Sequence, residues 1–159
     1  MRHQSQKMEK KTMIRRQIRE TAFRILFVLN FCPADQMQDQ LNLYFTDHTE
    51  LEIDDLTEEE DQKAVIRLDQ ASWPEITAKC LGAAGHLPEI DRIIEESSEG
   101  WKLSRLTKVD LTLLRLAVYE MKFENLPSGI AINEAVELAK RYGTDKSPAF
   151  VNGVLAKIS

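Results

Sequence analysis

Residues 106–123, LTKVDLTLLRLAVYEMKF, are apolar in almost every direction around a helix of about 3.6 residues per turn. Leu106, Val109, Leu113, Leu116 and Ala117 form one stripe, and Leu111, Leu114, Val118 and Met121 fill much of the rest. A helix that is apolar nearly all round must be covered on several sides, so other helices should pack about it. Thr107 and Asp110 have the spacing of a capping box, and Asp110 adds negative charge where the helix dipole favours it. Lys108, Asp110, Arg115, Glu120 and Lys122 make so short a stretch too charged for a membrane span. The segment predicts the central helix of a bundle in water.

Shorter amphipathic helices are predicted on either side. Ile14, Ile18, Ala22, Ile25 and Leu29 recur at spacings of three and four, giving a helix from about residue 14 to 30 that stops at Cys32-Pro33. A second runs from Ala34 to about Phe45, with Met37, Leu41, Tyr44 and Phe45 inward. Thr57 and Glu60 have capping-box spacing and open a third, with Val65, Leu68 and Ala71 as its stripe, and Ser72-Trp73-Pro74 restarts the chain as a helix ending near Gly85. Leu87-Pro88 begins another that ends near Gly100. Ile132, Ala135, Val136 and Ala139 mark a helix closed by Gly143, read as a left-handed cap, and Ser147-Pro148 starts the last one as cap and first helical residue. No segment alternates convincingly as a strand. The predicted fold is all-α, a helical bundle of one domain or at most two small lobes sharing a core, behind a mobile basic arm, residues 1–13.

The chain has 159 residues, 43% hydrophobic and 30% charged, with a net charge of −5, a composition suited to one soluble domain. Its charge is uneven. The first 24 residues hold eight Lys or Arg and two acids, whereas residues 47–61 hold nine acids and no Lys or Arg. That pattern predicts a basic arm acting locally and a solvated acidic loop. Cys32 and Cys80 lack metal-like spacing, and with no signal-peptide pattern both are expected reduced and buried, in the cytoplasm.

Catalysis finds little to work with. His3, His48 and His86 have no second ligand at metal-binding spacing, no glycine-rich loop follows a strand, and the carboxylates sit in runs such as residues 58–60. Neither a metal nor another cofactor is expected. The first helix is more informative. Arg16, Arg19, Phe23 and Phe27 fall on one side of it, with Lys11 and Arg15 near the edge of its core stripe. Cations for phosphates and flat rings for bases are what single-stranded nucleic acid requires. Composition alone weighs more toward a blander reading, in which Phe23 and Phe27 pack on a neighbouring helix and the arginines are merely solvated. Glu120, inside an apolar arc, needs a partner or an opening to solvent; Arg115 or a protein interface are the options. Asn133, early in its helix, is read as linking backbone groups. Gly153 costs roughly 1 kcal/mol against alanine inside a helix, and close approach of another helix is its expected compensation.

RRQIRETAFRILF, WKLSRLTKVDLTLLRLAVYEMKF, GIAINEAVELAKRYG and FVNGVLAKI, in this order, resemble the NusB family of bacterial transcription antitermination factors. The resemblance runs from Arg15 to Ile158, is most specific in the C-terminal half and is thin between Asp35 and Leu87. It implies a non-enzymatic RNA-binding protein, made of two small helical subdomains (about 14–100 and 101–159), that pairs with NusE, a small-subunit ribosomal protein. The pair would bind the boxA element of nascent ribosomal RNA within the RNA polymerase antitermination complex. By this resemblance Arg15, Arg16 and Arg19, with Lys11 beside them, contact RNA. Phe27 stacks on a base where many members carry Tyr, and the loop holding Lys146 and Phe150 faces RNA. Arg105 and Asp110 face the protein partner. Similar domains also precede the catalytic module of some ribosomal RNA cytosine methyltransferases; a chain ending at Ser159 leaves no room for that module, which disfavours this alternative. A purely protein-binding helical module is the third reading.

Overall fold

The structure is a computed structural model that describes residues 13–47, 50–54, 63–67 and 71–159. It contains α1 (Arg15–Leu26), α2 (Met37–Asp47), α3 (Trp73–Gly85), α4 (Leu87–Ser97), α5 (Lys108–Phe123), α6 (Ser128–Tyr142) and α7 (Ser147–Ile158), with short 3-10 turns at Phe27–Asn30, Ala34–Gln36 and Leu103–Arg105. The fold is an all-α bundle. Central α5 packs against α1, α3, α4, α6 and α7. Leu113, Leu114, Leu116, Ala117 and Val118 of that helix are all essentially sealed, which is what its all-round apolar pattern demands. Thr107 Oγ1 accepts from the Asp110 N–H at 3.1 Å and caps α5. The core cluster runs without a break from Met13 through Met37 and Ile76 to Ile158.

One region departs from the helical expectation. Glu50–Asp54 (β1) and Lys63–Arg67 (β2) form an antiparallel hairpin, Glu50 opposite Arg67 and Asp54 opposite Lys63. Two features of the sequence suit it: ELEID alternates with period two, and Ala64-Val65-Ile66 is rich in β-branched residues. Val65 therefore belongs to a strand and not to a helical stripe. Thr57, Glu60 and Leu68, read as parts of that helix, lie outside the described residues, as do residues 1–12 of the basic arm, Lys11 among them.

Smaller corrections concern glycines, a serine and a thiol. Gly143 has φ −93°, so it is no left-handed cap. Its requirement is space: a Cβ there would lie 2.4 Å from Ser147 Oγ and 2.8 Å from the Ala139 carbonyl. Ser147 does not cap α7 from outside; its Oγ accepts from the Thr144 N–H at 2.9 Å. Gly153 faces open space, with no helix close by, and it is Gly82 that permits close approach, since a Cβ there would meet the Tyr119 hydroxyl at 2.0 Å. Cys80 is buried and burial pushes its thiol up, whereas Cys32 is only half-buried.

Candidate nucleic-acid interface

Helix α1 opens with Ile14, whose N–H donates to Gln17 Oε1 at 2.8 Å, and its core face carries Ile18, Ala22, Ile25 and Leu26 into the bundle. The opposite side does not turn freely outward. Arg19 is committed: its Nε donates to Glu120 Oε1 and Oε2 at 3.0 and 2.9 Å, and its Nη2 to Oε2 at 2.6 Å. Glu134 of α6 stands 3.5 Å from its Nη1. Arg19's side chain is 11% exposed and that of Glu120 is 2% exposed. Lys79 of α3 completes the cluster, with Nζ 3.0 Å from Glu120 and 2.7 Å from Glu124. Glu120 is thus the hub that ties α1 and α3 to α5. Arg115, considered as its partner, instead makes a two-pronged pair with Asp91 of α4 at 2.8 and 3.0 Å.

Arg19 therefore differs from the expectation of an outward phosphate contact. Its guanidinium is an internal strut, because a buried carboxylate without a partner would cost several kcal/mol. Arg15 and Arg16 retain surface. Arg15 pairs with Glu75 but its side chain stays 83% exposed, and Arg16 lies 3.2 Å from Glu134 with 41% of its side chain open. The exposed Arg15–Glu75 pair is worth about 0–1 kcal/mol, so an incoming phosphate can displace that carboxylate cheaply, whereas Glu134 is largely covered and Arg16 offers a phosphate only the open part of its side chain.

The rings separate as well. Phe23 is 3% exposed and sits against Tyr142 with centroids 5.0 Å apart, so it belongs to the core. Tyr142 is held in turn: Arg24 donates to its hydroxyl at 3.0 and 2.8 Å, and the hydroxyl donates to buried Glu20. Burial, with the Glu20 hydrogen bond adding to it, pushes the Tyr142 phenol up to about 12. Phe27 is half-buried, in the turn that prolongs α1, and its ring tilts against exposed Phe31 at 5.7 Å.

Lys146 is exposed on the turn between α6 and α7, while Phe150 is half-buried against the core. Asn133 makes no hydrogen bond to a described residue; it lines, with Asn152, an open groove of about 530 Å³ between α6 and α7. Arg105 is exposed just ahead of α5. Asp110 is nearly covered, and its Oδ1 has no hydrogen-bond partner among the described residues. His86 stacks on Phe123 at 4.1 Å, and no group of three or more His, Cys, Asp or Glu side chains among the described residues could hold a metal.

Lys79 and Phe31 went unnoticed in the sequence, and Glu134, seen beside Asn133, was given no partner. Lys79 had a readable signal, since it shares a helix face with Ile76, Cys80 and Ala83, where an unpaired ammonium could not remain. Glu134 and Phe31 carried no local mark of what they touch.

A helical bundle whose first helix begins with exposed arginines and leads into a pair of rings carries the features of a nucleic-acid-binding domain, cations for phosphates and flat faces for bases. Residues 16–159 match the NusB family model, and the chain belongs to the NusB family. It is 44% identical over 148 residues to the transcription antitermination protein NusB of Agathobacter rectalis, covering 92% of this chain and all of that one. Among solved structures, T. maritima NusB superposes with a TM-score of 0.70 at 32% identity over 93% of this chain and 92% of that one. A chain from the crystal structure of a plectonemic RNA supercoil superposes at 0.65, with 26% identity over 91% of this chain and 94% of its own. The family is one of transcription antitermination factors and not of enzymes. No helix among the described residues is long and apolar enough to cross a membrane.

Proposed function

We propose that this protein binds boxA-type single-stranded RNA of nascent ribosomal RNA transcripts together with NusE, as part of the RNA polymerase antitermination complex in the cytoplasm. The observation that carries this reading is the family match across residues 16–159, joined to an α1 whose first-turn arginines keep open surface beside their ion pairs. Arg15 and Arg16 supply phosphate contacts, Phe27 offers a ring to a base, and Lys146 and Phe150 extend the contact from the α6–α7 turn. Arg105 and Asp110 serve the protein partner. The buried, unsatisfied Oδ1 of Asp110 supports that role, since a donor supplied by a partner would relieve its desolvation. Arg19 acts on RNA only by holding α1 in place.

With a net charge of −5 and most of the α1 arginines partly neutralised, RNA affinity should be weak alone and rise with the partner present. Titrating a fluorescent boxA RNA with this protein, with and without the ribosomal protein, tests the reading. Cooperative binding is the expected result; no binding in either case refutes it. The similarity to the transcription antitermination proteins NusB favours an antitermination factor over an accessory domain of a methyltransferase.

A further inference from the structure

We infer that Phe31, with Lys108 beside it, is a second stacking site for a base of the bound RNA, at the far end of α1 from Arg15 and Arg16. The inference rests on the RNA-binding reading above and extends its surface. Contacts between the two helices show that α1 and α5 run antiparallel: Arg19 meets Glu120, and Asn30 donates to Thr112 Oγ1 at 3.0 Å. The start of α5 therefore lies beside the end of α1. There Phe31 is 66% exposed, its ring tilted against Phe27, and Lys108 Nζ stands 5.6 Å from its centroid.

A single exposed phenylalanine is unremarkable on a protein surface. What distinguishes this one is the charge around it. Near the other end of α1, Arg15, Arg16, Arg19 and Lys79 each face a carboxylate. In residues 102–108, Lys102, Arg105 and Lys108 are all exposed, the segment holds no acid, and none of the three forms an ion pair with a described residue. An exposed ring and an exposed lysine with no carboxylate paired to it thus coincide at one place. That combination suits a nucleotide strand, whose base has a flat face for the ring and whose phosphate suits the ammonium. Lys108 already lies over the ring, a contact worth about 0.5–1 kcal/mol at an exposed site, and it would exchange that contact readily for a phosphate. From Arg16 to Phe31 the helix and its 3-10 turn span about 25 Å, the length of several nucleotides.

The test uses the full chain with its ribosomal partner and a 12-nucleotide single-stranded boxA-type RNA carrying 2-aminopurine at successive positions. Phe31→Ala should weaken RNA binding about 5- to 30-fold, the lower part of the range for one stacked base. Phe31→Trp should restore it to within about twofold. Lys108→Gln should lower the slope of log K against log salt by about 0.7, the value for one single-strand phosphate contact. At one position 2-aminopurine should be quenched by the wild type and not by Phe31→Ala. Because the ring is exposed, the melting temperature should not move. If Arg16→Ala weakens binding while Phe31→Ala and Lys108→Gln do not, this site is overturned and the RNA-binding reading stands. If the wild type binds no RNA, both fall. If Phe31→Ala weakens capture of the ribosomal protein in the absence of RNA, the ring belongs to a protein interface and the inference is wrong.

Discussion

Replacing Glu120 with glutamine tests whether the ion cluster at the joint of α1, α3 and α5 holds the bundle together. Glu120 is 1% exposed and receives three hydrogen bonds from Arg19 and one from Lys79. Removing one partner of a buried pair costs about 3–5 kcal/mol, because the remaining charges stay desolvated. Here the loss is cushioned, since Arg19 keeps Glu134 at 3.5 Å and Lys79 keeps Glu124 at 2.7 Å. The expected cost is therefore the low end, about 3 kcal/mol, a large share of the ~5–15 kcal/mol that stabilises a typical domain. For a chain of this size it corresponds to a fall in melting temperature of roughly 6–12 °C. Urea unfolding followed by circular dichroism gives the free energy directly. A double-mutant cycle with Lys79→Met should show coupling, because that change removes one of the stranded cations. A cost below about 1 kcal/mol for Glu120→Gln would refute the reasoning, for it would mean that water screens these pairs as it does at a surface.

Other outcomes follow from the same geometry. Arg15→Ala and Arg16→Ala should each flatten the salt dependence of RNA binding by about 0.7 in slope while leaving stability within about 0.5 kcal/mol, and an unchanged slope would remove that arginine from the interface. Phe27→Ala should cost about 1–3 kcal/mol of RNA binding, and loss of folding instead would place the ring in the core. Gly82→Ala should destabilise by about 1–3 kcal/mol because its Cβ meets the Tyr119 ring, whereas Gly153→Ala, facing open space, should stabilise by up to about 1 kcal/mol; thermal melts of the pair check both signs. Tyr142, raised to about 12 when folded against about 10 unfolded, favours the native state while protonated. Its contribution is complete below pH ~10 and is lost as pH rises toward ~12, so the stability gap between wild type and Tyr142→Phe should narrow over that window in urea titrations.

Helix placement was legible because apolar periodicity is a property of neighbouring residues. The all-round pattern of residues 106–123 put α5 at the centre, and Pro74, Pro88 and Pro148 marked helix starts that the structure keeps. The family resemblance rested on the same kind of local string. The hairpin escaped because a strand needs a partner to be recognised, and the alternation of ELEID was masked by its acidic setting. At Gly143 the glycine itself was visible, but the reason for it, contact with Ser147 and the Ala139 carbonyl, was not.

The arginines of α1 mark the boundary most sharply. Their number, spacing and nearness to aromatic rings could be read along the chain, and these suffice to raise the question of RNA. Which of them is available could not, because Arg19 is sealed against Glu120, 101 residues away, whereas Arg16 keeps open surface beside Glu134, 118 residues away. Periodicity says which side of a helix is greasy, yet it is silent about the carboxylate that folding brings opposite. A charge becomes a strut or a ligand according to how far its neighbours exclude water, and the packing of distant helices sets that burial.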